Sequence, residues 1–299
     1  MKKIFILILG LLIVSCSNDP IGSSNAKKLY SIQKTYYNTS DEIVADENFS
    51  FWDGKVNVIS SQNTSNIQYV YNKDGLLSEI LRYNANNTKV TTTSNYSYDA
   101  AGRMIKKSYN GIVDTGERFN VTSIFTYLAD KIIVEITHNG ITKKQEILID
   151  SNKEIVKDVI APNLYFITYE YLNGNVVKSN KSYSKYQSSE TFSYTTFKND
   201  YNYLKYVFGK EWKLNGYLDH YSTGQSFYIS LQSENLISEY ATSPVEFEEN
   251  SERTAVFKTK YNYEFNADNQ LIKETQIDTR TVEDFTKVLS KTVLIYNYK

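Results

Sequence analysis

Cysteine, histidine and proline are scarce in this chain of 299 residues, which contains one Cys, two His and three Pro. A single Cys excludes a disulfide framework, and one Cys with two His leaves no Cys/His zinc cluster. The few prolines, at positions 20, 162 and 244, leave long stretches free to form β-ladders. We therefore expect neither a metal site nor a bound cofactor, and a chain that can build extended sheets.

Excess charge of one sign is also absent, because 33 Lys and Arg face 34 Asp and Glu, for a formal charge of −1. This balance removes any broad electrostatic case for nucleic acid or acidic lipid as the partner. The chain is instead rich in aromatic residues, with 27 Tyr and 14 Phe, and 41% of its residues are hydrophobic. Such a composition can bury a core and is typical of a folded protein.

The N-terminus has the features of an export signal. Lys2-Lys3 is followed by an apolar run over residues 4–14, too short to span a bilayer, which takes roughly 20 residues. Ile13-Val14-Ser15-Cys16 then resembles the bacterial lipobox, in which a peptidase cuts before a Cys that carries a lipid. We expect lipidation of Cys16; the alternative is an ordinary secretory signal in which Cys16 is incidental.

These features predict three parts of the chain. Residues 1–15 form a lipoprotein signal peptide, residues 16–29 a lipidated Cys and flexible tether, and residues 30–299 a single antiparallel β domain. A flexible tether over residues 17–26 spans roughly 15–20 Å. The membrane would be a partner through the lipid at Cys16, and we expect an outer-membrane location. Whether the domain faces the periplasm or the cell surface stays open.

A pair of rings, a turn and an apolar return recur along the chain. Aromatic-x-aromatic places two rings on one face of a strand, because side chains alternate with period two. Asp74-Gly75 and Asn173-Gly174 then supply turn chemistry. Between residues 69 and 169, neighbouring copies start roughly 20–30 residues apart, which indicates a repeat architecture. Each copy is predicted to be a β-hairpin; the clear copies begin at Tyr69, Tyr96, Tyr169 and Tyr263, and weaker ones at Phe125 and Ile147.

The fold class predicted is all-β, an antiparallel meander of about sixteen strands. Large sheets of this kind curl or close, so we expect an up-and-down barrel or a strongly curved single sheet. The tyrosines would line a half-exposed face, with the ring packed across strands and the hydroxyl in water. Residues 201–212 are an exception, and their mixed periodicity predicts a long connection with a short helix.

Tyr98-Asp99-Ala100-Ala101-Gly102-Arg103 is similar to the tyrosine–aspartate (YD, or Rhs-type) repeat, whose copies wind antiparallel strands into large curved sheets. Tyr71-Asn72-Lys73-Asp74-Gly75-Leu76 is a near match. Over roughly residues 30–299 the chain also resembles a group of lipid-anchored bacterial proteins of unknown function with a porin-like barrel fold. The resemblance implies architecture and an envelope location, and it brings no catalytic residues.

Few residues suggest chemistry. Trp52 and Trp212, with nearby Tyr and Phe, could form a platform on which sugars stack; the alternative is that both pack in the core or on a strand face. His138, in a predicted turn, and His220 lack metal or general-base spacing. An acidic run at Glu246, Glu248, Glu249 and Glu252 could hold a cation or be a solvated loop. No catalytic residue is predicted.

Three functions remain open at this stage. The favoured one is a non-enzymatic, lipid-anchored envelope protein that binds a ligand or partner, such as a glycan or envelope protein, or has a structural role at the surface. The second is a glycan-acting hydrolase, which needs two carboxyl groups roughly 5–10 Å apart, or a glycan-binding lipoprotein. The third is a transmembrane β-barrel, which needs an apolar lipid-facing band.

Overall fold

The structure, a computed structural model, describes residues 27–61, 66–112, 116–161, 164–183, 186–220, 233–243, 245–246 and 254–299. The predicted signal peptide, Cys16 and most of the predicted tether lie outside these residues. Within the described ranges, no helix combines the length and the apolar character needed to cross a lipid bilayer.

One antiparallel sheet of nineteen strands makes up most of the described chain, and two short helices follow its fourteenth strand. The strands are β1 (Leu29–Tyr37), β2 (Ile43–Trp52), β3 (Lys55–Ser60), β4 (Ile67–Tyr71), β5 (Leu77–Tyr83), β6 (Val90–Tyr98), β7 (Met104–Ile112), β8 (Arg118–Tyr127), β9 (Lys131–His138), β10 (Ile141–Ile149), β11 (Ile155–Ala161), β12 (Tyr165–Leu172), β13 (Asn175–Tyr183), β14 (Tyr186–Lys198), β15 (Asn235–Thr242), β16 (Val245–Glu246), β17 (Thr254–Phe265), β18 (Leu271–Val282) and β19 (Phe285–Tyr298). The helices are α1 (Tyr203–Phe208) and α2 (Trp212–His220), joined by a 3₁₀ turn (Gly209–Glu211).

The sheet closes on itself, since β1 pairs with β2 on one side and with β19 on the other. β15 pairs directly with β17, so the two-residue β16 is a side branch and eighteen strands form the wall. This confirms the all-β meander and selects a closed barrel over an open curved sheet. The expected count of about sixteen strands is broadly consistent with the eighteen of the wall.

All six repeat copies form hairpins, and because consecutive strands alternate in direction, their turns lie at one end of the barrel, here called the turn end. In four of these turns one side-chain oxygen of an Asn or Asp accepts hydrogen bonds from two backbone N–H groups, those of the residues two and four positions later in the chain, at 2.8–3.0 Å. The side chains stabilise the turns by accepting from backbone N–H groups that have no acceptor on a neighbouring strand. They belong to Asn72, Asp99, Asp150 and Asn266.

Near the turn end, tyrosine hydroxyls tie neighbouring strands together. Each donates to a backbone carbonyl near the start of the preceding wall strand, beside irregularities in the ladder such as that between Ser50 and Phe51. The expectation that these hydroxyls reach water was therefore wrong, because the bulges leave inward carbonyls for which the tyrosines supply the donor. The pairs are Tyr71 to Val56, Tyr127 to Met104, Tyr171 to Ile155, Tyr194 to Val176, Tyr263 to Ile237 and Tyr298 to Leu271, at 2.7–2.9 Å.

Tyr98 provides an internal contrast to this hydrogen-bond pattern. It pairs with Met104 as Tyr71 pairs with Leu77, but its buried hydroxyl has no hydrogen-bond partner among the described residues. Tyr127→Phe should lower the free energy of unfolding by about 1–2 kcal/mol, since the Met104 carbonyl loses its donor, while Tyr98→Phe should be neutral or stabilising. Chemical denaturation of both variants would measure this, and equal losses would contradict it.

Residues 203–220, here called the plug, lie inside the barrel at the turn end. Their rings pack against several wall strands, with centroids 5.7 Å apart for Phe49 and Tyr203 and 5.2 Å apart for Phe51 and Tyr206. The short helix predicted within residues 201–212 is confirmed as α1, whereas α2 was missed because the four consecutive buried residues 215–218 include Asn215 and Gly216, which interrupt an apolar pattern. In a plug surrounded by wall, an amphipathic pattern is not required.

Candidate functional site

The plug is fastened to the wall by polar contacts in addition to rings. Asn215 accepts from the Met104 backbone N–H at 2.8 Å and donates to the Gly102 carbonyl at 2.9 Å. Asp219 accepts from the Tyr96 hydroxyl and pairs with Lys107, both at 2.8 Å. These bonds connect α2 to the β6–β7 hairpin, so the plug forms a fixed floor for the space above it.

A cavity of about 270 Å³ lies between the segment 199–203, which leads into the plug, and the wall formed by β1, β2, β15 and β17–β19. It is slightly smaller than most ligand pockets, which measure roughly 300–1,000 Å³, so it suits a small molecule. Every residue of β18 after Leu271 is partly exposed, including Glu274 and Gln276 of the lining, which indicates that the cavity opens toward solvent along this strand. The lining consists of Ile32, Lys34, Phe49, Asn199, Tyr201, Asn202, Tyr203, Leu236, Ile237, Tyr261, Tyr263, Glu274, Gln276, Leu294 and Tyr296.

Strand register places two charged side chains on the inner face. Leu294 of β19 lies opposite Lys34 of β1 and opposite Glu274 of β18, and all three line the cavity. Gln276 follows Glu274 by two residues and so faces the same way. On the plug side, Asn202 caps α1 by accepting from the Leu204 N–H at 3.0 Å. The polar groups of the cavity therefore sit on regular strands and at a helix N-terminus.

Glu274 and Lys34 are both perturbed by burial. Burial raises the pKa of Glu274 above its usual range, against the hydrogen bonds from Gln276 at 2.6 Å and Tyr296 at 3.0 Å and the charge of Lys34, all of which lower it. Burial lowers the pKa of Lys34, an effect partly opposed by Glu47 and Glu274. Lys34 Nζ lies 4.7 Å from the ring centroid of Tyr36. Because burial disfavours the charged form of each group, the ionised Glu274 carboxylate and the Lys34 ammonium both lower the stability of the folded barrel.

Glu274→Gln is expected to stabilise the unliganded protein in a pH-dependent way. The folded-state pKa of Glu274 lies above that of the unfolded chain, so its stabilising contribution is complete below pH ~4.3 and is lost as pH rises through the folded-state pKa. Denaturation at pH 4, 5.5 and 7 should therefore show little difference from wild type at pH 4 and a growing advantage at higher pH. Glu264→Gln on the outer face is the matched control; an identical pH profile for the two variants would contradict the assignment.

The two tryptophans singled out from the sequence occupy different surroundings. Trp52, at the end of β2, is 78% exposed, whereas Trp212, at the start of α2, is 9% exposed and packs in the plug. A sugar platform shared by both rings stays a prediction. The predicted modification of Cys16 falls outside the described residues.

His138 ends β9 beside the turn Asn139-Gly140, which confirms the predicted turn. Asp219 and His220 are the last two residues of α2. Within the described ranges, no three His, Cys, Asp or Glu side chains are grouped as a metal site would require. Most of the acidic run at 246–252 lies outside those ranges.

No protein-family model matches this chain, and no curated protein matches it. Among solved structures, a porin-like protein from Bacteroides uniformis has a TM-score of 0.41 at 11% identity, covering 91% of this chain and 98% of its own. One from Bacteroides vulgatus has a TM-score of 0.39 at 13% identity, covering 90% and 99%. The TcdB2–TccC3–Cdc42 structure has 0.40 at 10%, covering 85% of this chain and 12% of that one. All three scores are low, and the barrel is established by its own strand pairing.

Proposed function

We propose that this chain is a lipid-anchored β-barrel of the bacterial cell envelope that binds a small ligand inside the barrel and catalyses no reaction. The cavity carries this proposal. A purely structural barrel would be stabilised by filling such a space with apolar side chains at the packing density of a core. Here Lys34, Glu274 and Gln276 face it instead, although burying charged groups costs free energy.

The lipid anchor is supported by the lipobox around Cys16, and the position of β1 indicates which end of the barrel the anchored segment reaches. β1 begins at Leu29, at the turn end, and the Lys28 N–H donates to the Lys299 carbonyl at 2.8 Å. A lipid at Cys16 would hold the turn end toward the membrane and leave the open end facing away from it. Cys16→Ser should move the protein from the membrane fraction to the soluble fraction, and protease treatment of intact and lysed cells would identify the side.

The outer face of the barrel favours contact with water over contact with lipid. Cross-strand ion pairs such as Lys178–Glu170 and Lys273–Glu264 lie on strand faces opposite the buried inner residues. A transmembrane barrel presents a continuous apolar band there. The Cys16→Ser protein should therefore stay in solution without detergent, and a requirement for detergent would favour the transmembrane alternative.

Glycan binding is the second candidate, favoured by tyrosine faces beside side-chain amides in one cavity. Tyr rings can stack on sugar faces, and Asn199, Asn202 and Gln276 could bond hydroxyl groups. A glycan hydrolase would need a second carboxyl group facing the first. Glu274 is the one carboxyl residue in the described lining, so this cavity does not supply the pair that the hydrolase alternative requires.

A ligand screen with a cavity-filling variant tests the proposal. Full-chain protein would be screened by thermal shift and calorimetry against mono- and disaccharides, amino acids and dipeptides. A ligand that stabilises the wild type should fail to stabilise Leu294→Phe, which fills the cavity, but should still stabilise Val293→Phe on the outer face. Absence of any binding, or equal binding by both variants, would contradict a ligand site in the barrel.

A further inference from the structure

The cavity contains one cationic and one anionic side chain, and neither is in an ion pair. Across the described residues, no salt bridge within 4.0 Å involves Lys34 or Glu274. The Glu274 carboxylate accepts only neutral donors, from Tyr296 and Gln276, and the described partner of the Lys34 ammonium is the Tyr36 ring. Two opposite charges therefore face one space without meeting each other.

Strand geometry explains why the two charges stay apart. β19 separates β1 from β18, and Leu294 lies between Lys34 and Glu274 on the inner face. With strands spaced about 4.8 Å apart, the two Cα atoms are roughly 10 Å apart. The gap between the charged ends lies over Leu294, which itself lines the cavity. A small molecule placed there could contact both side chains at once.

Both charges oppose folding when the cavity is empty, since burial raises the pKa of Glu274 and lowers that of Lys34. An anionic ligand would relieve Lys34 but be repelled by Glu274 and by Glu47, which lies beside Lys34 on β2. A cationic ligand would supply a counter-charge to the Glu274 carboxylate but would be repelled by the Lys34 ammonium. A neutral sugar would bring no charge to either group, and their only opposite charges would be each other and, for Lys34, the carboxylate of Glu47.

Resting on the proposed function, we propose that the ligand is a small zwitterion: an amino acid or dipeptide with an apolar side chain. Its ammonium group would pair with Glu274 against the faces of Tyr261, Tyr263 and Tyr296, since aromatic faces attract cations. Its carboxylate would pair with Lys34. Its side chain would contact the apolar part of the lining, which is formed by Ile32, Phe49, Leu236, Ile237 and Leu294.

Calorimetry with blocked ligands tests each charge without altering the protein. The probes are phenylalanine, its N-acetyl derivative, its amide and the dipeptide Leu-Phe, with glucose and maltose as neutral sugars. We expect phenylalanine or Leu-Phe to bind. Acetylating the amino group of phenylalanine, or converting its carboxylate to the amide, should weaken binding about tenfold or more, because each change removes one charge-assisted contact.

Variants assign each charge to its partner. Glu274→Gln should weaken the binding of phenylalanine at least about tenfold and leave the binding of its N-acetyl derivative unchanged. Lys34→Met should likewise weaken the binding of phenylalanine but leave the binding of its amide unchanged. Glu264→Gln and Lys273→Met, on the outer face, are the matched controls. Because Lys34 and Glu274 oppose folding, their variants should melt no lower than wild type, which separates a binding effect from misfolding.

The remaining outcomes separate the two proposals. A sugar that binds in the cavity, with an affinity unaffected by Lys34→Met and Glu274→Gln, would overturn the zwitterion and leave the ligand-binding function intact. Binding of both blocked derivatives as tightly as phenylalanine would also overturn it. Failure of every probe to bind would count against both the zwitterion and the ligand site.

Discussion

Asn215→Ala is expected to lower the free energy of unfolding by about 2–4 kcal/mol, because two buried backbone groups would lose their partners at once. Asn215 is 0% exposed, and its side chain bonds the Met104 N–H and the Gly102 carbonyl. These two groups lie at the end of the β6–β7 turn and the start of β7, so the loss affects both the hairpin and the plug. Chemical denaturation, with a melting temperature lowered by roughly 5–15 °C, would measure it.

Two further variants make this experiment specific. Asn262→Ala removes an amide from an exposed, outward position on β17 and should change stability by less than about 0.5 kcal/mol. Asn215→Asp keeps the acceptor for the Met104 N–H but not the donor for the Gly102 carbonyl. Its free energy of unfolding should therefore fall by at least the contribution of one hydrogen bond. Equal stability of Asn215→Ala and Asn262→Ala would show that the plug is not held by these bonds.

Glu190→Ala is the second change with a large expected effect, a loss of about 3–5 kcal/mol. The Glu190 carboxylate is buried on the inner wall, where it accepts from Ser179 at 2.7 Å, Lys181 at 2.8 Å and Tyr240 at 2.9 Å. Removing it leaves the half-buried Lys181 ammonium without its ion pair and two hydroxyls without an acceptor. Denaturation at neutral pH would measure the loss.

A double variant tests whether the missing charge causes this loss. Adding Lys181→Met to Glu190→Ala should recover part of the stability, since it removes the uncompensated ammonium. Glu264→Ala breaks an ion pair whose members are both exposed and should cost less than about 1 kcal/mol. If Glu190→Ala cost no more than Glu264→Ala, the inner carboxylate would have no special structural role.

Much of the fold follows from local sequence. Tyr-x-Tyr, Asn or Asp, and an apolar return predict each hairpin, and the structure confirms these hairpins at the copies beginning at Tyr69 and Tyr96. Local signals suffice here because period-two alternation and Asx-turn chemistry involve residues only a few positions apart. The same reasoning could not find the partners of the tyrosine hydroxyls, because bulges on the neighbouring strand create them.

The cavity could have been suspected only in part. Lys34 and Glu274 occupy inward positions. Lys34 follows the buried Ile32 by two residues, and Glu274 follows the buried Leu271 by three residues because a bulge lies between them. A charge on an otherwise apolar strand face is a signal that such a position has a function. The sequence does not show that the two charges share a cavity.

By itself, therefore, the sequence determined the hairpins, their turns and the all-β class, since each depends on neighbouring residues. Tertiary structure decided the closure of the barrel, the burial of the plug and the position of Lys34 and Glu274 around one cavity. These two residues lie near opposite ends of the chain and come together because β1 pairs with β19. The pairing depends on how many strands curl, and by how much, before the last strand reaches the first, a property of the whole sheet that no local segment encodes.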